Sequence, residues 1–197
     1  MYANRSYIRN ILILIVGALT LVEILVLSLC RPDFYGLQGT YYGNEHWQGD
    51  PVVVRRDPIV SRDALRAFRG DQEQNYFSIQ WDGYLRIPAT GVYKFLMTSD
   101  DGAWLFIDGN IVAQNSGHGL QKAEGTIHLR QGLHPLRIRY FQAGGHAIID
   151  LAWALEPFSY QVLASEYFLP PDASTPQFWM HQQASALLPF FIAAWVL

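Results

Sequence analysis

The sequence predicts a mainly β protein, with an antiparallel β-sandwich or β-barrel domain between an N-terminal transmembrane helix and a short apolar C-terminal segment. Two observations carry this prediction. The middle of the chain alternates short β-type runs with Gly, Pro, Asn and Asp, which is typical of antiparallel all-β domains. The two ends are apolar, at Ile11–Cys30 and Ala184–Leu197. Because only 16% of the residues are charged, against about a quarter in average proteins, the chain is expected to fold.

The first predicted element is a transmembrane helix at Ile11–Cys30. Its 20 residues carry a single charge, and at about 1.5 Å per residue they span roughly 30 Å, the thickness of a bilayer core. Two arginines precede the run and one follows it. The positive-inside rule therefore places residues 1–10 in the cytoplasm as a tail, and the main domain in the periplasm or outside the cell. Cleavage as a signal peptide and lipidation of Cys30 are the alternatives.

Glu23 is the one charge in this run. An ionisable group inside a membrane usually faces protein or water, because lipid does not solvate it. Two interpretations therefore stand. The side chain either snorkels towards the outer surface, or it contacts another transmembrane helix, which makes Glu23 a candidate helix-contact residue.

The C-terminal run at 184–197 has 14 residues, too few to cross a bilayer comfortably. We predict a membrane-associated segment, joined to the main domain by a linker at 170–183. It is either an interfacial segment, a short second helix, or the beginning of a longer polytopic protein.

Residues 33–169 are predicted to form the extracytoplasmic β-sandwich domain. One short helix is expected at Arg62–Phe68, with Ser61 as its N-cap. Asp108-Gly109-Asn110 predicts a tight hairpin. The predicted strands are Gly39–Tyr42, Tyr76–Ile87, Gly91–Thr98, Ala103–Ile107, Ile111–Gln114, Gly125–Leu129, Leu136–Phe141 and Ala147–Leu155. Their aromatic residues are expected mostly in the core: Tyr76, Trp81, Tyr93, Phe95, Trp104, Phe106, Tyr140 and Trp153.

Composition and motifs exclude several function classes. Fourteen basic against seventeen acidic side chains give a net charge of −3, which argues against nucleic acid as a partner. A single cysteine excludes an internal disulfide framework and any multi-cysteine metal centre. The six histidines lack the paired spacing of a zinc helix, and the sequence has no phosphate-binding glycine loop and no nucleophile motif. We therefore predict that the chain is not an enzyme.

Three motifs, in this order, resemble those of a known family. They are Gly36–Tyr42 (GLQGTYY), Phe77–Leu85 (FSIQWDGYL) and Thr98–Gly109 (TSDDGAWLFIDG). The region from about residue 36 to 167 is similar to the protective-antigen-type, or PA14, domain family. The resemblance implies an antiparallel β-barrel or sandwich, found in glycosidases, adhesins, toxins and membrane proteins mostly as a binding or accessory module. Fold alone does not fix function.

Asp100 and Asp101 are the main candidate site residues. Two adjacent carboxylates repel each other unless a cation lies between them, and hard oxygen ligands suit calcium. In the sugar-binding fungal flocculins of the family, the matching pair is joined by a cis peptide and holds a calcium ion that contacts sugar hydroxyls. The resemblance therefore implies Asp100, Asp101 and the amide of Gln142 as calcium ligands, completed by backbone carbonyls of 143–146. The alternative is a turn in which the carboxylates accept backbone N–H groups.

Two further loops supply candidate ligand-binding residues. Asn115 and His118 lie on one, and His146 lies on the other. The family usually has an aromatic residue after the Asn, and Ser116 stands there in this chain. We expect a weaker stacking surface for a sugar ring as a result.

Three functions from different classes remain open. The leading one is a non-enzymatic, membrane-anchored structural subunit of a larger membrane complex, bound to other subunits through the helix and the C-terminal segment. The second is a calcium-dependent glycan-binding module. The third is the front end of a polytopic glycosyltransferase. The sequence does not identify the partner complex or the glycan.

Overall fold

The computed structural model describes residues 2–29, 35–69 and 75–171. Two α-helices are present there, α1 (Tyr2–Leu29) and α2 (Arg62–Arg69), with a 3₁₀ turn at Ser165–Tyr167. The strands are β1 Leu37–Tyr42, β2 Val53–Asp57, β3 Phe77–Ile87, β4 Gly91–Asp100, β5 Ala103–Ile107, β6 Asn110–Asn115, β7 Gln121–Leu129, β8 Gly132–Gln142, β9 Ile148–Leu155, β10 Gln161–Val162 and β11 Phe168–Leu169.

The described strands form two antiparallel sheets, as the sequence predicted. The larger sheet has the order β2-β1-β3-β8-β5-β6, with β11 also paired to β3. The smaller sheet has the order β10-β9-β4-β7. All of these strands belong to one compact unit, Tyr35–Asp172, whereas α1 belongs to a different unit.

The core consists of side chains that alternate inward along the strands. In β4, for example, every second residue from Tyr93 to Ser99 is buried, which is the period-2 pattern of a strand with one face on the core. Burial of each such large apolar side chain stabilises the fold by about 1.5–3 kcal/mol. The largest fully buried side chains are Trp81, Trp153, Tyr41, Tyr93, Tyr140, Phe77, Phe95 and Phe168.

The eight predicted strands correspond to β1 and β3–β9, and α2 confirms the predicted short helix. The Asp108-Gly109 hairpin is also confirmed, since both residues have positive φ, 52° and 78°, as a two-residue turn of this kind requires. The predicted cap is wrong, because the Ser61 hydroxyl makes no hydrogen bond among the described residues. Strands β2, β10 and β11 were not predicted.

Five of the eight aromatic residues expected in the core are buried there: Trp81, Tyr93, Phe95, Tyr140 and Trp153. Tyr76 contradicts the prediction. It lies just before β3 with φ of 61°, and 64% of its surface is exposed. Trp104 and Phe106 are half-buried, because they occupy the positions of β5 that alternate with the core-facing ones.

Asp57 is the centre of a buried polar network that holds α2 against the larger sheet. Its Oδ2 accepts hydrogen bonds from the Tyr41 hydroxyl and from Trp81 Nε1 (2.7 Å), and its Oδ1 accepts one from Arg55 Nε at 2.8 Å. The Arg55 guanidinium also donates to the carbonyl of Ala64 in α2 at 2.7 Å. Burial, followed by the Asp57 charge, raises the pKa of Tyr41, so its hydroxyl stays a donor.

The N-terminal apolar run is helical, and α1 extends beyond it to Tyr2. Its predicted role as a transmembrane helix is not supported: no helix in the described part of the chain is both long and apolar enough to span a membrane. The side chain of Glu23, the residue Cys30, and the segments 172–183 and 184–197 lie outside the described residues.

Candidate functional site

Asp100 and Asp101 lie at the end of β4, in the short connection to β5. The peptide bond between them is cis, the arrangement that the resemblance implied. Asp100 is half-buried, and only 3% of Asp101 is exposed. The pair is therefore withdrawn from bulk water at the edge where strands of both sheets end.

Asp101 connects three loops through hydrogen bonds. Its carboxylate accepts one from the Gly119 amide at 2.6 Å and one from the Ala143 amide at 2.8 Å. Its carbonyl oxygen accepts one from the side-chain amide of Asn115 at 3.0 Å. The interpretation of the carboxylates as acceptors for backbone N–H groups therefore describes Asp101, and the same bonds bring the loops at 115–120 and 142–146 to the pair.

Gln142 joins the site from the end of β8. The Tyr140 hydroxyl lies within hydrogen-bond distance of two acceptors, Gln142 Oε1 at 2.5 Å and the carbonyl oxygen of Asp100, which share its one proton. Gln142 Nε2 donates to the carbonyl of Gly144 at 2.5 Å, and the side chain is fully buried. The three residues that the resemblance implied as metal ligands are thus connected through Tyr140 and the Ala143 amide.

The electrostatics of the pair are uncompensated by basic side chains. Burial raises the pKa of Asp100, and the neighbouring charge of Asp101 and a hydrogen bond with it raise it further. His146 acts in the opposite direction. Among the described residues no Lys or Arg forms an ion pair with either carboxylate, and His118 Nδ1 lies 3.7 Å from Asp101 Oδ1. The site is therefore electronegative.

The three predicted ligand-binding residues have different surroundings. Asn115 is buried and fully hydrogen-bonded, since it also donates to the Ser99 hydroxyl and accepts from the Gly117 amide, both at 3.0 Å. Asn115 therefore supports the loop, because both polar groups of its side chain already have partners. His118 and His146 are exposed and flank the pair on opposite loops. Their binding role stays a prediction.

The model of the PA14 domain family matches residues 34–164, which is most of the chain. The chain belongs to the PA14 domain family. The match covers the smaller sheet and all of the larger sheet except β11, and it contains the Asp pair and Gln142, whereas α1 lies outside it.

The chain is similar in sequence to an anti-sigma factor and in structure to an anti-sigma factor domain-containing protein. It is 26% identical over 147 residues to the anti-sigma-I factor RsgI3 of Acetivibrio thermocellus, which covers 72% of this chain and 22% of that protein. The anti-sigma factor domain-containing protein of Clostridium clariflavum has a TM-score of 0.62 at 21% identity, over 71% of this chain and 48% of that one. The chain thus spans less than half the length of these two relatives.

A further similar structure is described as the PA14 sugar-binding domain of an RTX adhesin. Its TM-score is 0.56 at 17% identity, and the alignment covers 69% of this chain and 98% of that one. At such identity the likeness shows the fold.

The donor set of this PA14 domain fits calcium better than a transition metal. No group of three or more His, Cys, Asp or Glu suited to a metal exists within the described residues. The oxygens at hand are two carboxylates, the Gln142 amide oxygen and nearby backbone carbonyls. Each Asp101 oxygen accepts one N–H and keeps a second lone pair. Calcium takes six to eight such oxygens in flexible geometry.

An aromatic cluster that the sequence does not predict lies beside the Asp pair. Trp47, from the loop after β1, lies with its ring centroid 5.8 Å from Trp104 and 6.3 Å from Phe141. Phe141 in turn lies 5.7 Å from His118. The outward positions of Trp104 in β5 and Phe141 in β8 follow from strand alternation, but nothing in the sequence indicates that Trp47 returns to the same face.

Proposed function

We propose that this PA14 domain is a non-enzymatic carbohydrate-binding module whose site holds calcium between Asp100, Asp101 and Gln142. The observation that supports this most is the hydrogen-bond network that connects Asp101, Gln142 and the main chain of Asp100, across as much as 42 positions of sequence. Neither carboxylate of the pair forms an ion pair with a described Lys or Arg. Calcium would supply coordination positions for sugar hydroxyls. The family and the sugar-binding description of the RTX adhesin domain support the ligand class.

The chain's own residues contribute three things to such binding. Asp101 fixes the two loops through their backbone N–H groups, so the site keeps its shape. Tyr140 orients the Gln142 amide. His118 and Phe141 present a ring pair at the rim, where a sugar ring has an apolar face to contact.

Calcium binding is tested first by unfolding of the full chain with calcium and with chelator. At a hundredfold excess over Kd, one bound calcium ion is expected to raise the free energy of unfolding by about 2.7 kcal/mol. Asp100→Asn is expected to abolish this gain. Among the described residues no backbone N–H donates to the Asp100 carboxylate, so we expect the variant to keep the turn. Asp150→Asn, an exposed carboxylate on β9, is the matched control and keeps the gain.

Glycan binding is tested with the same three proteins on a glycan panel, with calcium and with chelator. We expect binding that chelator removes and that Asp100→Asn lacks. A calcium response without any bound glycan would retain the metal site and reject the carbohydrate function. No calcium response in the folded wild-type chain would reject both.

A second function, a structural subunit of a membrane complex with its main domain outside the cytoplasm, is favoured by α1. Large apolar side chains of this helix are exposed, among them Leu14 at 72% and Leu21 at 69%. Such surface normally contacts lipid or another protein. Purification of the full chain from its native source in mild detergent tests this. Stoichiometric co-purification of membrane subunits is expected, and a lone monomer would reject it.

A further inference from the structure

A groove of the described domain lies on the outward face of the larger sheet, away from the Asp pair. It has a volume of about 710 Å³ and crosses β1, β3, β8 and β5. Its lining combines polar and aromatic side chains, chiefly Gln38, Asp82, Tyr84, Phe106, Arg137 and Arg139. We call it the β3–β8 groove.

A ladder of polar side chains joins β3 to β8 at the groove, and all of its members except Gln80 line the groove. Strand pairing places Asp82 opposite Arg137 and Gln80 opposite Arg139. Arg137 Nε donates to Asp82 Oδ1 at 2.7 Å, and Arg139 Nε donates to Gln80 Oε1 at 2.8 Å. Gln80 Nε2 then donates to Asp82 Oδ2 at 2.7 Å. Both guanidinium groups are therefore held by their Nε atoms.

The ladder has one positive charge in excess, and it belongs to Arg139. Asp82 compensates Arg137, whereas the partner of Arg139 is a neutral amide. Its guanidinium carbon also lies 5.4 Å from the ring centre of Trp47. Within the described residues, no hydrogen bond involves the terminal nitrogens of Arg137 or Arg139. Those nitrogens are the donors with which arginine binds carboxylates in a fork-like pair.

We propose that the β3–β8 groove is a second saccharide subsite, specific for a sugar that carries a carboxylate and independent of calcium. The free donors of Arg139 bind the carboxylate. The Asp82 carboxylate accepts hydrogen bonds from sugar hydroxyl groups, and the Gln38 amide both donates and accepts them. The half-buried rings of Tyr84 and Phe106 offer apolar contact to a sugar face.

The neighbouring charges select this ligand class over other anions. Asp82 lies directly beside the arginines and repels a ligand of dense negative charge, such as a polyphosphate or a nucleic acid. The net charge of −3 acts in the same direction. A uronic-acid saccharide alternates one carboxylate with several hydroxyls, and this matches one excess positive charge surrounded by polar neutral groups.

The subsite is separate from the calcium site but lies along the same strand. Arg137, Arg139 and Phe141 are alternate residues of β8, so they share its outward face, and Arg137 and Phe141 are about 13 Å apart at about 3.3 Å per residue. Gln142 then ends the strand at the Asp pair. The two sites therefore bind different units of a chain, and each is testable alone.

The test measures binding of trigalacturonic acid and of its methyl ester to the full chain by calorimetry, in the presence of chelator. The wild-type chain is expected to bind the acid about tenfold or more tightly than the ester, because the ester lacks the charge. Arg139→Gln is expected to reduce the affinity for the acid by the same factor. Arg130→Gln, an exposed arginine outside the groove, makes the same charge change and is expected to bind normally.

Three results would overturn the proposal: no binding of the acid by the wild-type chain, equal binding of acid and ester, or equal losses in the two arginine variants. Arg139→Lys guards against misfolding, since lysine keeps the charge and loses the fork, so it is expected to fall between wild type and Arg139→Gln. Because chelator is present throughout, failure here leaves the calcium-dependent function standing, and the reverse also holds.

Discussion

Asp57 and the Asp100-Asp101 pair are both carboxylates withdrawn from water, but their partners differ. The Asp57 carboxylate accepts from Tyr41, Trp81 and Arg55, and the arginine balances its charge. Asp101 accepts from two backbone amides, which carry no net charge, and Asp100 lies beside it. The fold satisfies the first group completely and leaves the second with excess negative charge. Compensation from within the fold distinguishes the structural carboxylate from the pair that we propose binds a ligand.

The largest expected effect comes from breaking the compensated carboxylate. Asp57→Asn leaves Arg55 half-buried without its partner, so we expect the free energy of unfolding to fall by about 3 kcal/mol. Urea unfolding of the full chain measures this. Asp63→Asn, an exposed carboxylate on the adjacent helix, is the control and is expected to stay within about 0.5 kcal/mol. Equal effects of the two substitutions would contradict a structural role of the network.

A smaller effect of opposite sign is expected at the uncompensated pair. The pKa of Asp100 is raised above its ordinary value by burial and by Asp101. The folded state therefore holds this proton more tightly than the unfolded state, and its contribution to stability grows as the pH falls through the raised pKa and is lost at neutral pH. With chelator at pH 7, Asp100→Asn is expected to stabilise the chain.

The same substitution is expected to flatten the stability profile between pH 4 and pH 7 that the wild-type chain shows in chelator. Unfolding of both proteins across this range measures the difference. The opposite result would be a wild-type chain whose free energy of unfolding falls relative to that of Asp100→Asn as the pH falls. Asp100 would then be compensated like Asp57, and the comparison between the two carboxylates would fail.

The smallest effect on stability is expected at the rim of the site. His118 is 72% exposed, so His118→Ala is expected to change the free energy of unfolding by less than about 0.5 kcal/mol. Glycan binding is expected to weaken, because the ring lies beside Phe141 and Asp101. Thermal unfolding and the glycan panel measure the two effects on one sample. Loss of stability without loss of binding would make His118 part of the scaffold.

The two sheets were predictable from the sequence because alternation and turn residues are local signals. Strand β2 is not predicted because its apolar residues do not alternate with polar ones. It is an edge strand, and its outward-facing Val54 is exposed. Tyr76 was assigned to the core by residue type alone, although it precedes the strand. The local sequence pattern therefore predicts the central strands better than it predicts strand ends and edge strands.

The candidate site was predictable only in part. The Asp pair stands out as adjacent acids before a glycine, and the resemblance implied Gln142, which reaches the pair because β8 lies next to β5 in the sheet. The polar ladder depends on the register of β3 with β8, which the sequence alone does not determine. Its members are Gln80, Asp82, Arg137 and Arg139. Trp47 reaches the same face through the path of a loop.

The manner in which Asp101 holds its neighbours bears on how the domain changes over evolution. The Asp101 carboxylate accepts hydrogen bonds from the main-chain amides of Gly119 and Ala143, in the loops at 115–120 and 142–146, so these two contacts do not depend on loop side chains. Exposed side chains such as those of His118 and His146 can therefore be exchanged without removing the two hydrogen bonds. The buried side chains of Asn115 and Gln142 and the positive φ of Gly119, 78°, confine this freedom to the outer surface of the loops. Substitutions that accumulate at that surface leave the frame beneath it unchanged.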